Sequence, residues 1–288
     1  MRNLVPPVID SKTIYQSIAK RARDTDNIDK HTRLNTLEPL IISRYAEYEK
    51  EKKNLENISE STITDEKDRF ALESCYNRNS EGYLEGEVVS KILSTQSAQH
   101  RNSCPYCGID KPRTIDHYLP KSIFPEYAIY PPNLIPCCGR CNSKKSFAWI
   151  NEGKRIFINF YYDVIPQARF LFTQLIFDKD ERIVTPAVVF DLRNDGNISQ
   201  ADFEMIKRHF SKLELLIEYA ETIEEELSNI YDRISHNTHM PMQLHQEELD
   251  RTMKMYQRKY GLNYWKACLI DSIIQSKEFF NRIYKVVA

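Results

Sequence analysis

The sequence predicts a mainly helical α+β protein, with two helical lobes flanking a small cysteine-rich core and a β-hairpin. Three observations carry that expectation. Apolar residues recur at three- and four-residue spacing through the first hundred residues and again from about 200 to 286. The stretch from Arg155 to Leu192 is instead rich in β-branched and aromatic residues. Between the two lie Cys104-x-x-Cys107 and Cys138-x-x-Cys141, bracketing an Asp116-His117 pair.

Taken in order, residues 1–9 read as an extended arm, because Pro6-Pro7 disfavours helix. A helix starts at Asp10 or Ser11, either a fitting N-cap, with Ile14, Ile18 and Ala22 four apart. A second is expected from about Leu37 to Asn57. It carries Leu40, Ile41, Tyr45, Tyr48 and Leu55 on one face and a solvated charge run from Glu47 to Lys53. Thr64-Asp65-Glu66 opens a third through Phe70, Leu72, Cys75 and Tyr76, which places Cys75 on a buried apolar face. Residues 79–86, with Gly82 and Gly86, read as a turn, and Val88 to Gln96 as one more short helix.

Beyond the cysteines, Arg155–Phe160, Arg169–Phe177 and Ile183–Leu192 read as strands, the last two joined by the polar turn Asp178–Glu181. Pro186 sets the second strand of that hairpin at an edge or beside a bulge. Ser199-x-x-Asp202 is a near capping box for a long helix to about Ser235. Pro241 resets the chain, and a helix from Gln243 to Tyr260 ends at Gly261. Tyr264 to Val286 makes the last helix, with Cys268 on its apolar stripe. His236, His239 and His245 surround a loop and read as surface histidines. The expected organisation is a helical lobe (1–100), a core (101–150), a hairpin region (151–195) and a second helical lobe (196–288).

Composition narrows the class. No window approaches the ~20 apolar residues of a membrane span. The start, MRNLVPPVID, lacks the apolar core of a signal peptide, so a cytoplasmic location is expected. Seven cysteines, four of them in C-x-x-C pairs, suit metal better than disulfides. The net charge is −1, yet residues 101–147 hold seven basic residues (Arg101, Lys111, Arg113, Lys121, Arg140, Lys144, Lys145) against three acids. Positive charge is thus concentrated in the core, as a polyanion site requires.

The core residues also specify chemistry. Two C-x-x-C knuckles offer four thiolates, the ligand set of a closed structural zinc site, and knuckle spacing selects Cys104, Cys107, Cys138 and Cys141 over Cys137. Asp116 and His117 end a strand-like run, so their side chains point to opposite faces. A carboxylate and the amide oxygen of Asn142 are hard ligands suited to Mg²⁺ or Mn²⁺. A neutral imidazole beside such an ion can take a proton from water. Together these parts suit metal-assisted phosphodiester hydrolysis.

The combination C-x-x-C-G from Cys104, Asp116-His117, Asn133-Leu134, and C-x-x-C-Asn142 followed by lysines resembles the HNH endonuclease family, in its subgroup with four zinc-binding cysteines. The likeness spans about residues 101–147. It implies a ββα-metal core in which His117 is the general base and Asp116 and Asn142 hold the catalytic Mg²⁺ or Mn²⁺. Asn133 then braces the loop and orients the histidine. Lys144 or Lys145 stands where a phosphate contact is expected by position. The family implies nucleic acid as substrate, DNA before RNA. Where it often has a glycine-rich step, this sequence has Phe124-Pro125-Glu126-Tyr127. More widely, the MRNLVPP start, DHYLPKS, NLIPCC and CNSKKS resemble HNH proteins of Septu-type antiphage defence systems. That likeness implies an ABC-type ATPase partner docked on the flanking helices. Two other readings stay open: a zinc-ribbon binding module without catalysis, and an interaction subunit active only in complex.

Overall fold

A computed structural model describes residues 1–24, 28–76, 83–180 and 182–287. Packing divides the chain into two compact units, Asn3–Val164 and Met1–Arg2 with Ile165–Ala288. The segment 151–195 is therefore shared between them. Among the described residues no helix is long and apolar enough to cross a membrane.

In the unit Asn3–Val164, α1 (Ser11–Arg21) is capped by Asp10, whose side chain accepts from the amides of Lys12 and Thr13. The second helix, α2, runs from Lys30 to Glu51, starting earlier and stopping sooner than its apolar pattern suggested. Pro39 lies inside it, and the helix continues past the missing amide because Leu34, Ile41, Tyr45 and Tyr48 form one buried stripe. Tyr15 Oη donates to Leu34 O at 2.7 Å, joining α1 to α2. Leu55–Asn57 is a separate 3₁₀ turn.

Asp65 caps α3 (Glu66–Glu73), and Cys75 just beyond is buried as expected. The expected turn at 79–86 falls largely outside the described residues. Where the chain resumes, Leu84–Val89 is a π-helical turn that runs into α4 (Ser90–Thr95), followed by α5 (Ala98–Asn102). Next, β1 (Thr114–His117) pairs antiparallel with β2 (Leu134–Cys137), Asp116 opposite Ile135 and His117 opposite Leu134. Helix α6 (Gly139–Lys145) packs on β1, which completes a ββα unit. It begins two residues before Cys141 and stops at Lys145.

The run Arg155–Phe160 is not a strand. Only β3 (Ile150–Asn151) and β4 (Lys154–Arg155) pair there. Asn159 and Asp163 then turn the chain, with Asp163 N donating to Asn159 O at 2.9 Å, which buries Phe157 and Phe160 completely.

The other unit holds the expected hairpin, β5 (Leu171–Ile176) with β6 (Ala187–Leu192), in unbroken register from Leu171↔Leu192 to Ile176↔Ala187. Pro186 lies just outside the ladder, where its missing amide costs no bond. Arg282 donates to Asp178 O at 2.7 Å and Ile183 O at 2.9 Å, fixing the connection. Glu181, expected in that turn, lies outside the described residues.

The long helix expected to Ser235 is three: α7 (Gln200–Leu213), α8 (Leu215–Thr222) and α9 (Glu224–Ser235). Glu214 breaks the first pair by turning left-handed, at φ 56°. Helix α10 (Met242–Tyr260) ends at Gly261, where φ is 93° and a Cβ would sit 2.5 Å from Met1 O. The last expected helix divides at Ser276 into α11 (Trp265–Gln275) and α12 (Lys277–Val287). Asn263 Oδ1 accepts from Phe170 N and Leu171 N, anchoring the start of α11 to β5.

Candidate active site and metal centre

The sulfurs of Cys104, Cys107, Cys138 and Cys141 lie within 4.8 Å of one another and are all buried. A tetrahedral ion with 2.3 Å bonds to sulfur spaces its ligands about 3.8 Å apart. Cys107 Sγ and Cys138 Sγ are 3.9 Å apart. Backbone amides already point at the cluster, Cys138 N at Cys104 Sγ (3.3 Å) and Ile109 N at Cys107 Sγ (3.4 Å). Hydrogen bonds from Cys104 and the other sulfurs pull the Cys107 thiol well below its ordinary range, while burial pushes Cys104 up. Protons shared in this way are what a thiophilic cation displaces on binding. The four cysteines therefore fit zinc. Cys137 stands apart, its sulfur 3.4 Å from Thr114 Oγ1 and its thiol pushed up by burial.

Tyr106, inside the first knuckle, links this cluster to the residues beside it. Its buried ring faces Phe157 and Phe160, and its hydroxyl donates to Asp116 Oδ2 at 2.7 Å. The other oxygen, Asp116 Oδ1, is 3.0 Å from Lys145 Nζ, which also donates to His117 O at 2.8 Å. Asp116 is 2% exposed and Lys145 0%. Strand alternation thus sends Asp116 inward, against α6 and the knuckle, and His117 the other way. The expected phosphate contact by Lys145 is corrected here: its ammonium is spent on Asp116 and the β1 backbone. Lys144 is half-exposed and lies outside the cavity around His117.

His117 is half-buried, with Nε2 2.8 Å from Ala128 O. A carbonyl oxygen only accepts, so Nε2 carries the hydrogen and Nδ1 keeps a lone pair. The Tyr76 ring stands edge-on at 4.3 Å. Burial drives the imidazole down to about 3, which keeps it neutral at physiological pH. His117, Asn142, Asp116, Lys121, Tyr76 and Phe147 line one cavity of about 380 Å³.

The loop that supplies Ala128 is held by Asn133. Its Oδ1 accepts from Leu119 N (2.8 Å), and its Nδ2 donates to Leu119 O (2.9 Å) and Tyr127 O (3.2 Å). Sequence reasoning missed the second anchor. Buried Glu126 accepts from Arg44 Nε and from Ser61 Oγ, each at 2.8 Å, while Tyr127 Oη donates to Arg44 O. The departure at Phe124–Tyr127 is thus a turn tied to α2. The unusual Glu in place of a glycine-rich step was its one sequence signal.

Asp116 and Asn142 line the same cavity, and oxygen donors of this kind fit a hard divalent cation. Each carboxylate oxygen has two lone pairs, and Asp116 uses one per oxygen on Tyr106 and Lys145. A cation there would share Asp116 with an ammonium group. Other candidates do not assemble: among the described residues the four cysteines are the only His/Cys/Asp/Glu cluster placed to hold a metal. His236 and His239 are exposed as expected, but His245 is buried, its Nε2 3.1 Å from Asn237 O. It sits in the first turns of α10, within the expected helix, on the face that is buried, which accounts for the difference.

No protein-family model matches the chain, and no solved structure does. Two curated proteins are similar to it. Protein ea31 of Escherichia phage lambda is 26% identical over 192 residues, 62% of this chain and 64% of that protein. Septu protein PtuB of Bacillus thuringiensis is 26% identical over 188 residues, 62% of this chain and 70% of that protein. The match therefore spans less than two thirds of the phage protein and slightly more of PtuB.

Proposed function

We propose that this chain is a metal-dependent HNH-type endonuclease that hydrolyses phosphodiester bonds in nucleic acid, DNA before RNA, and serves antiphage defence with an ATPase partner. The observation that carries the reading is His117: Nε2 is tied to Ala128 O, Nδ1 is left as an acceptor, and the ring lines one cavity with Asn142 and Asp116. Nδ1 takes the proton of the attacking water, and Asn133 keeps the ring oriented by fixing the Tyr127–Ala128 backbone. A Mg²⁺ or Mn²⁺ ion held by Asn142 and Asp116 would stabilise charge on the phosphate and leaving oxygen. Zinc on the four cysteines has a structural part only, because a closed four-thiolate site has no position for substrate. Similarity to Septu protein PtuB supports the defence role, and the resemblance to HNH proteins encoded beside an ABC-type ATPase supports the partner.

The test is incubation of zinc-loaded protein with plasmid DNA and with RNA in Mg²⁺ or Mn²⁺, alone and with the proposed ATPase partner. Cleavage that His117→Ala abolishes is expected; equal cleavage by the variant removes the histidine from the reaction. The Lys145–Asp116 pair favours a second reading, a zinc-ribbon binding module without catalysis. That reading expects gel shifts without cleavage under every condition.

A further inference from the structure

We propose that Phe147 is a stacking platform for an unpaired nucleobase at the mouth of the His117 cavity. The chain would then engage nucleic acid where at least one base is out of the duplex. The inference rests on the phosphodiester-cleaving reading above and narrows its substrate.

Three observations converge on this residue. Phe147 lines the same cavity as His117, Asn142 and Lys121, yet it is 69% exposed, whereas the nearby Phe157 and Phe160 are completely buried. An apolar ring left in water at the mouth of a cavity contributes little to the fold. The backbone beneath it is also unusual. Ser146 has φ 49° and ψ −125°, at the first corner of a turn closed by Ala148 N donating to Lys145 O at 2.9 Å. This is the type II′ corner that glycine normally fills. Exposure and backbone strain thus fall on adjacent residues, and strained positions of this kind gather at ligand sites.

The third observation is rigidity. The turn follows Lys145, which is buried and ion-paired, and precedes Trp149, which is buried edge-on against Phe124. Phe147 is therefore presented from two fixed points. A base offers a flat π-face whatever its identity, so an exposed aromatic selects unpaired bases over sequence. In a duplex those faces are covered by neighbouring bases. Lys121, in the same cavity, places positive charge where the adjoining phosphate would lie.

The test uses full-length, zinc-loaded protein and a fluorescent oligonucleotide, single-stranded or annealed, in DNA and RNA versions. Binding is read by anisotropy without added divalent cation, and cleavage separately with Mg²⁺. Phe147→Leu keeps the apolarity and removes the π-face, and Phe147→Trp keeps both. Tighter binding of the single strand is expected, weakened roughly five- to a hundred-fold by Phe147→Leu and preserved by Phe147→Trp. Duplex binding should respond little to either. The DNA and RNA arms tell which strand supplies the base. If wild type cuts nucleic acid and Phe147→Leu matches it on single strands, in binding and in cleavage, the platform is overturned while the nuclease reading stands. A wild type that neither binds nor cuts any oligonucleotide, alone or with the proposed ATPase partner, overturns both. Because Phe147 is exposed, unchanged zinc content and circular dichroism are expected in both variants.

Discussion

Replacing Lys145 by methionine removes one half of a fully buried ion pair and leaves the other half in place. Asp116 would then keep the Tyr106 hydroxyl on Oδ2 while standing only 2% exposed. Breaking a buried pair from one side costs about 3–5 kcal/mol. The lost bond to His117 O adds about 1 kcal/mol. A loss of about 4–6 kcal/mol follows. With an m-value near 2 kcal/mol/M, the urea midpoint falls by about 2–3 M.

The assay is urea denaturation of zinc-loaded protein, with zinc release reporting the Asn3–Val164 unit. A further outcome belongs to the mechanism. Lys145→Met combined with Asp116→Asn should recover most of the loss. A Lys145→Met loss below about 1 kcal/mol, or one that Asp116→Asn does not recover, would refute the reasoning.

Other outcomes are equally specific. Cys137→Ser should retain about one zinc per chain by elemental analysis, whereas Cys141→Ser should lose it and unfold the β1–β2 hairpin. The folded-state pKa of His117, about 3, lies below its unfolded value near 6.5. Its contribution to stability is therefore complete above pH 6.5 and is lost as pH falls towards 3, by up to about 1.4 kcal/mol per unit. His117→Gln should flatten that part of the acid denaturation curve. Asn133→Ala leaves Leu119 N, Leu119 O and Tyr127 O without their side-chain partner. A loss of roughly 2–4 kcal/mol in thermal or urea unfolding is expected, with cleavage slowed more than substrate binding.

Legibility followed the range of the interactions. The knuckles, the strand carrying Asp116 and His117, the caps at Asp10, Asp65 and Ser199, and the stop at Gly261 all depend on residues a few positions apart, and the sequence displays them. Lys145 was misread because a lysine in a basic run looks solvated; only the packing of α6 on β1 reveals that its ammonium turns inward. Arg44 and Glu126 are distant in sequence, so no local pattern couples them. Helix breaks at Glu214 and Ser276 carry no glycine or proline, leaving an unbroken apolar periodicity to suggest one helix where the chain bends. His245 lies inside the expected helix from Gln243, but the polar stretch around the Asn237–Pro241 loop made it look exposed, and only the packing of α10 shows that its face is the buried one.

The placement of Tyr106 has a consequence for the order in which the molecule matures. The phenol that restrains Asp116 grows from the same tight turn that presents Cys104 and Cys107, so an ion on those thiolates would also hold the carboxylate beside the His117 cavity. A chain short of that ion would lose its staple and the hold on Asp116 together. On the proposed function, the supply of one trace element would then set how much of the protein is competent to act.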